Sequence, residues 1–177
     1  QTVADDGEAQ IGVRVHPTLV PLDHPLASVN GSFNAVFLEG GAAGDLMLYG
    51  RGAGGRPTAS AVLGDLIDAA TNLRQGTASG IGVLERARIA PIDDVISAYY
   101  LNIEVDDRPG VLAAVAAVFG SHEVSIRSME QEGMGGEARL VFITHGARER
   151  DLRATLADLR SLEAVRAVGS VLRVIGD

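Results

Sequence analysis

Cysteine and tryptophan are absent from the 177 residues, and aromatic side chains make up only 4% of them. Without thiols the chain forms no disulfide and carries no thiolate nucleophile, and a cytoplasmic setting is the expectation. With so few rings, a core must be built from Val, Leu, Ile and Ala. No apolar run approaches the roughly 20 residues that span a bilayer, so no membrane partner is expected. The start, Gln1-Thr2-Val3, shows neither the basic nor the apolar segment of a signal peptide and no initiator Met. A missing N-terminal portion is therefore expected. Basic clusters are scarce as well: the formal net charge is -8, which disfavours a nucleic-acid partner because phosphates need a basic face.

What is present suits a packed protein of one medium or two small domains, with 46% hydrophobic residues. Strand-like alternation runs over Ala9–His16, and Asn34–Leu38 and Asp45–Tyr49 are short apolar strands. Gly50-Arg51-Gly52-Ala53-Gly54-Gly55-Arg56-Pro57 then forms a loop whose backbone turns sharply or lies against something. Pro57 suits the first turn of the helix that follows, where its missing N–H costs nothing. Val62, Leu63, Leu66, Ile67, Ala70 and Leu73 give that helix one apolar face. Residues 74–97 are a connection, with one strand expected near Gly82–Arg88.

From Ala98 the pattern sharpens. Tyr99, Leu101, Ile103 and Val105 alternate with Tyr100, Asn102 and Glu104 as in a strand. Asp106–Gly110 is a turn, and Val111, Leu112, Val115, Val118 and Phe119 share a helix face that Gly120 is expected to end. Val124–Met134 and Glu137–His145 form a hairpin around Gly133–Gly136. Leu152, Leu156 and Leu159 mark a second helix, and Val165–Ile175 a last strand. The order is β-α-β-β-α-β, a ferredoxin-like layout within an α+β chain.

Two loops carry the chemistry. At Gly50, Gly52, Gly54 and Gly55 the backbone is open to close approach, and the helix after them presents N–H groups with partial positive charge. A dinucleotide or a substrate carboxylate suits that spot; a tight strand-to-helix turn without ligand is the alternative. In the second loop, the amides of Gly110, Val111 and Leu112 open a helix and suit an amino acid's carboxylate, with Asp107 for its ammonium group and Ser125 adding a hydroxyl. The alternative for Asp107 is a helix cap. His16 and His24 lack a supporting carboxylate pattern, so no metal is expected. Arg148–Asp151 is expected to be a solvated first turn of mixed charge.

Asp106-Asp107-Arg108-Pro109-Gly110-Val111-Leu112, with Val124-Ser125-Ile126, resembles the ACT domain, a small-molecule-sensing module of amino-acid biosynthetic enzymes. ACT domains often place Asn on this loop and at the second strand, where this chain has Asp107 and Ser125. His16–Pro21, His24–Ala27, Asn34–Val36, Gly50–Gly55 and Pro57–Val62, in that order, resemble the end of the catalytic region of homoserine dehydrogenase. That resemblance implies residues 1–76 as a catalytic tail, 77–97 as connection and 98–177 as the ACT domain. It implies interconversion of L-homoserine and L-aspartate 4-semialdehyde with NAD(P), on the route to threonine and methionine. Gly50, Gly52, Gly54 and Gly55 then lie at the nicotinamide end of the cofactor. Asp107, Gly110, Val111, Leu112 and Ser125 hold an amino-acid effector, L-threonine, across a homo-oligomer interface. The family's nucleotide-binding domain and catalytic-lysine segment have no counterpart here, so no catalytic residue is assigned and the chain alone is expected to be inactive. A non-catalytic ACT module that dimerises and binds an amino acid is the alternative.

Overall fold

The computed structural model describes residues 2–3, 9–77, 88–133 and 135–176. In chain order come β1 (Thr2–Val3), β2 (Ala9–Ile11), β3 (Thr18–Leu19), β4 (Phe33–Gly40), β5 (Gly44–Arg51), α1 (Gly55–Gln75) and β6 (Arg88–Ile89). They are followed by β7 (Ile96–Asp106), α2 (Val111–Ser121), β8 (Ile126–Gly133), β9 (Glu137–Thr144), β10 (Ala147–Arg148), α3 (Glu149–Ser161) and β11 (Val165–Val174). Two compact units result, one of residues 1–21 with 87–177 and one of residues 22–86.

The larger unit holds the core. Its main sheet runs β3-β11-β7-β9-β8, in which β11, β7, β9 and β8 are antiparallel neighbours. The strict alternation of β7 puts Tyr99, Leu101, Ile103 and Val105 on one face, all fully buried, and Tyr100, Asn102 and Glu104 on the other. Val111, Val115 and Phe119 of α2 and Leu152 and Leu159 of α3 close over the apolar face. Phe119 meets Phe142 of β9 at a ring separation of 5.0 Å. Side chains buried to this degree each contribute about 1.5–3 kcal/mol. The β-α-β-β-α-β expectation holds, with helix and hairpin positions close to those read from periodicity.

Several details differ. The strand expected over Ala9–His16 stops at Ile11, because its partner β6 offers only two residues, paired in parallel to Gln10 and Ile11. The strand expected near Gly82–Arg88 lies outside the described residues except at Arg88. Gly120 does not end α2. The helix runs on to Ser121, and Glu123 takes the left-handed conformation at φ 58°. Val124 N–H donates to Phe119 O at 3.0 Å and Glu123 N–H to Gly120 O at 3.2 Å, which is the Schellman pattern. Burial of Val124 and Phe119 in one core holds that turn against the preference of Glu123.

The smaller unit pairs β4 with β5 in an eight-residue antiparallel hairpin. Phe33 stacks on Tyr49 at 4.8 Å, and the Arg51 guanidinium lies over Phe33. Helix α1 forms as its periodicity demands and ends at Gly76, φ 65°. Its apolar stripe is exposed, however, from Val62 at 52% to Leu73 at 83%. A stripe of this kind forms to be covered.

Candidate functional sites

The glycine loop joins β5 to α1 in the smaller unit. Gly54 stands at the N-terminal cap of α1 with φ 124°, a conformation closed to other residues without strain, and no side chain caps the helix. Gly52 is glycine for a local reason: a Cβ there would lie 1.8 Å from the Asn34 amide nitrogen. Gly50 and Gly55 have open space where a side chain would project. Gly50 and Gly52 line a shallow cavity of about 290 Å³ with Asn34, Val36, Leu48 and Arg51. So packing within the chain accounts for Gly52 and backbone conformation for Gly54, while neither demands glycine at 50 or 55.

The second site opens where β7 meets α2. Val105–Leu112, with Gln131 and Leu140, line a cavity of about 380 Å³. Gly110, at φ 89°, caps α2 without any side-chain bond, so Asp107 is not the helix cap. The Asp107 carboxylate instead lies against Gly133, where a Cβ would come within 3.3 Å of it. The Val111 N–H turns back to Arg108 O at 3.4 Å, which leaves Gly110 and Leu112 as the amides best placed to face a ligand. Arg166 bonds Asp106 at 2.7 Å and also pairs with Glu137, bracing the mouth of the cavity. Asp107, Gly110, Val111 and Leu112 are thus brought together. Ser125 is not: it is exposed, its carbonyl accepts from His145 N–H, and it precedes the far end of β8. The eight steps from Ser125 to Gly133, beside Asp107, span about 25 Å of strand.

A third cluster escaped the sequence reading. Glu149, in the turn expected to be solvated, is largely buried; its carboxylate accepts the Tyr99 hydroxyl at 2.9 Å and pairs with Arg173. Desolvation, followed by the bond to Glu149 and its charge, pushes the Tyr99 phenol up to about 12, although Arg173 opposes this. Tyr99 therefore stays neutral at any ordinary pH. Arg150 of that turn does face solvent, on Asp94 at 3.1 Å, while Arg148 and Asp151 are partly exposed. The signal for Glu149 was unreadable in one dimension, because its partners stand 50 and 24 residues away. His24 and His16 have local duties: His24 Nδ1 accepts from Leu26 N–H, and His16 Nδ1 bonds the Thr18 hydroxyl at 2.7 Å. No cluster of three potential metal ligands occurs among the described residues, and none of their helices is long and apolar enough to cross a membrane.

Two helices over one face of a β11-β7-β9-β8 antiparallel sheet, with a cavity at the first strand-to-helix turn, define an ACT-type domain. Residues 99–164 match the ACT domain family model. Residues 2–67 match the homoserine dehydrogenase family model. The chain corresponds to the C-terminal part of homoserine dehydrogenase with its ACT domain. It is 47% identical over 173 residues to homoserine dehydrogenase of Corynebacterium glutamicum, covering 97% of this chain and 39% of that protein. The Mycobacterium tuberculosis enzyme is 48% identical over 180 residues, covering 97% and 41%. The solved homoserine dehydrogenase of Thiobacillus denitrificans superposes with a TM-score of 0.82 at 35% identity, over 94% of this chain and 39% of that one. The chain thus spans about two-fifths of the length of these relatives.

Proposed function

We propose that this chain supplies the C-terminal wall of the catalytic site and the effector-sensing domain of a cytoplasmic, NAD(P)-dependent homoserine dehydrogenase, with L-threonine as effector. Residues 1–76 act as the catalytic tail, 77–97 as connection and 98–177 as the sensor. The observation that carries the sensing role is the cavity at the N-terminus of α2, where Asp107 stands beside the Gly110 and Leu112 amides. An amino acid offers both charges such a site needs: a carboxylate for the helix amides and an ammonium group for Asp107. Since Ser125 lies at the remote end of β8, its hydroxyl reaches an effector only from a second copy, so sensing requires a homo-oligomer. Edge strand β8, exposed along most of its length, supports such pairing.

The glycine loop fits one wall of a cofactor site. Gly50 and Gly55 leave room for close approach, and α1 offers an uncapped N-terminus. A bound nicotinamide cofactor would supply hydride transfer; these residues would hold its nicotinamide end. Calorimetry of this chain with L-threonine, and with Asp107→Ala, tests the sensor. Saturable binding lost at least about tenfold in the variant supports it, and equal affinity of the two proteins refutes it. In the complete enzyme, Gly54→Val tests the wall: unchanged cofactor KM and kcat in a folded variant would reduce the loop to a turn.

A further inference from the structure

Strand β11 reaches both the effector cavity and the segment matched by the homoserine dehydrogenase family model. At its start, Arg166 bonds Asp106, a residue of the cavity lining, and Ala164 O accepts from Asp106 N–H at 2.9 Å. At its end, Arg173 and Val174 pair in parallel with Thr18 and Leu19 of β3, and Ile175 N–H donates to Leu19 O at 2.9 Å. Between these ends the pairing of β11 with β7 is broken twice. Val165 faces Val105 and Ala167 faces Glu104; Val168 faces Ile103 and Val171 faces Leu101, so β11 carries one extra residue at each break. Such bulges interrupt the ladder, and a strand so interrupted adjusts its register more readily than a regular one. Arg166 is the extra residue of the first bulge, held by Asp106 and Glu137. β3 is held lightly: it has two residues, and Val13, Val15 and Leu22 on either side of it are exposed. A segment with so little burial opens at a small fraction of the global stability.

We propose that β11 transmits the state of the Asp106–Arg166 pair to β3, and that the effector acts on that pair. The ligand's part rests on the sensing role proposed for the cavity; the strand's part does not. An amino acid in the cavity sets its ammonium group beside Asp106 and Asp107, where it competes with Arg166 for the Asp106 carboxylate. Arg166, once released, frees the first bulge. The start of β11 then shifts against β7, and the pairing at Arg173 and Val174 weakens with it. Thr18 and Leu19 lie within the matched stretch 2–67, and after Pro21 the chain passes into the unit that holds the glycine loop. Loosening β3 thus carries effector binding toward the catalytic region along the backbone itself.

The test is amide hydrogen exchange, read by NMR on the 177-residue chain, at Ile175 against Val115 in the core of α2. Arg166→Gln, an exposed substitution outside the cavity lining, should speed exchange at Ile175 about tenfold while Val115 keeps its rate. Arg160→Gln, which removes an exposed charge from the last turn of α3, should change neither. L-threonine should speed Ile175 in the parent and have no further effect on it in Arg166→Gln. The proposal is overturned if Arg166→Gln leaves Ile175 at the parent rate, if Val115 speeds up as much, or if the faster exchange stops at residues 106 and 164–167. It is overturned as well if Arg160→Gln acts equally, or if threonine binds the parent and leaves Ile175 unchanged. If threonine does not bind but Arg166→Gln still frees Ile175, the sensing role falls and the role of β11 stands.

Discussion

Tyr99→Phe should lower stability at neutral pH and lose that effect in strong alkali. Tyr99 is 2% exposed, and its hydroxyl donates to the Glu149 carboxylate at 2.9 Å. A hydrogen bond to a charged group contributes about 1.5–3 kcal/mol. The acid–base linkage sets how this changes with pH. The folded phenol stands at about 12 against an ordinary 10.0, from desolvation first and the bond to Glu149 next, so at about 1.4 kcal/mol per unit its ionisation removes roughly 2–3 kcal/mol of stability. The sign follows from the direction of the shift. A raised folded value favours the protonated form, so the contribution is complete below pH 10 and is lost as pH climbs from about 10 to about 12. Urea unfolding of the parent and of Tyr99→Phe at pH 8, 10 and 11.5 measures the gap directly, provided both remain two-state. The chain has no lysine, so no ammonium side chain titrates alongside. Difference absorbance at 295 nm between the two folded proteins should show one phenol ionising near pH 12. A stability gap that stays constant from pH 8 to 11.5, or a difference titration centred at 10, would refute the coupling of Tyr99 to Glu149.

Thr144→Val removes the hydroxyl that accepts the Tyr99 N–H at 3.0 Å in the gap between β9 and β10, and should cost about 1–3 kcal/mol by denaturant midpoint at unchanged slope. Glu123→Gly should raise the melting temperature, since it relieves a left-handed residue at a cost of about 1 kcal/mol; a lower melting temperature would argue against the Schellman turn. Gly52→Ala should destabilise, and Asn34→Ala should rescue it, because the three atoms nearest the added Cβ all belong to the Asn34 side chain; additive losses in the double variant would contradict that contact. The chain alone, supplied with L-homoserine and NADP, should show no turnover in a spectrophotometric assay, and rates of about 1 per second or more would overturn its reading as a partial catalytic region.

Local patterning alone determined most of the ACT portion. Period-two alternation over Tyr99–Val105 and the helical stripes Val111–Phe119 and Leu152–Leu159 each face a core, and a residue that faces a core is chosen by its neighbours in periodicity. The turn Asp106–Gly110 was legible for the same reason, since Gly110 at φ 89° must be glycine wherever the rest of the chain lies. Tertiary structure decided what depends on distant partners. Glu149 reads as one charge in a polar turn until Tyr99 and Arg173 arrive to desolvate it. Thr18 and Leu19 become a strand only because β11 offers them an edge. Gly120 resembled a helix stop, yet the burial of Val124 moved the stop to Glu123, since core packing outweighs the local preference of one residue. Ser125 and Asp107 are close in the pattern of the motif and about 25 Å apart along β8, because α2 carries the chain back to the opposite end of the sheet between them.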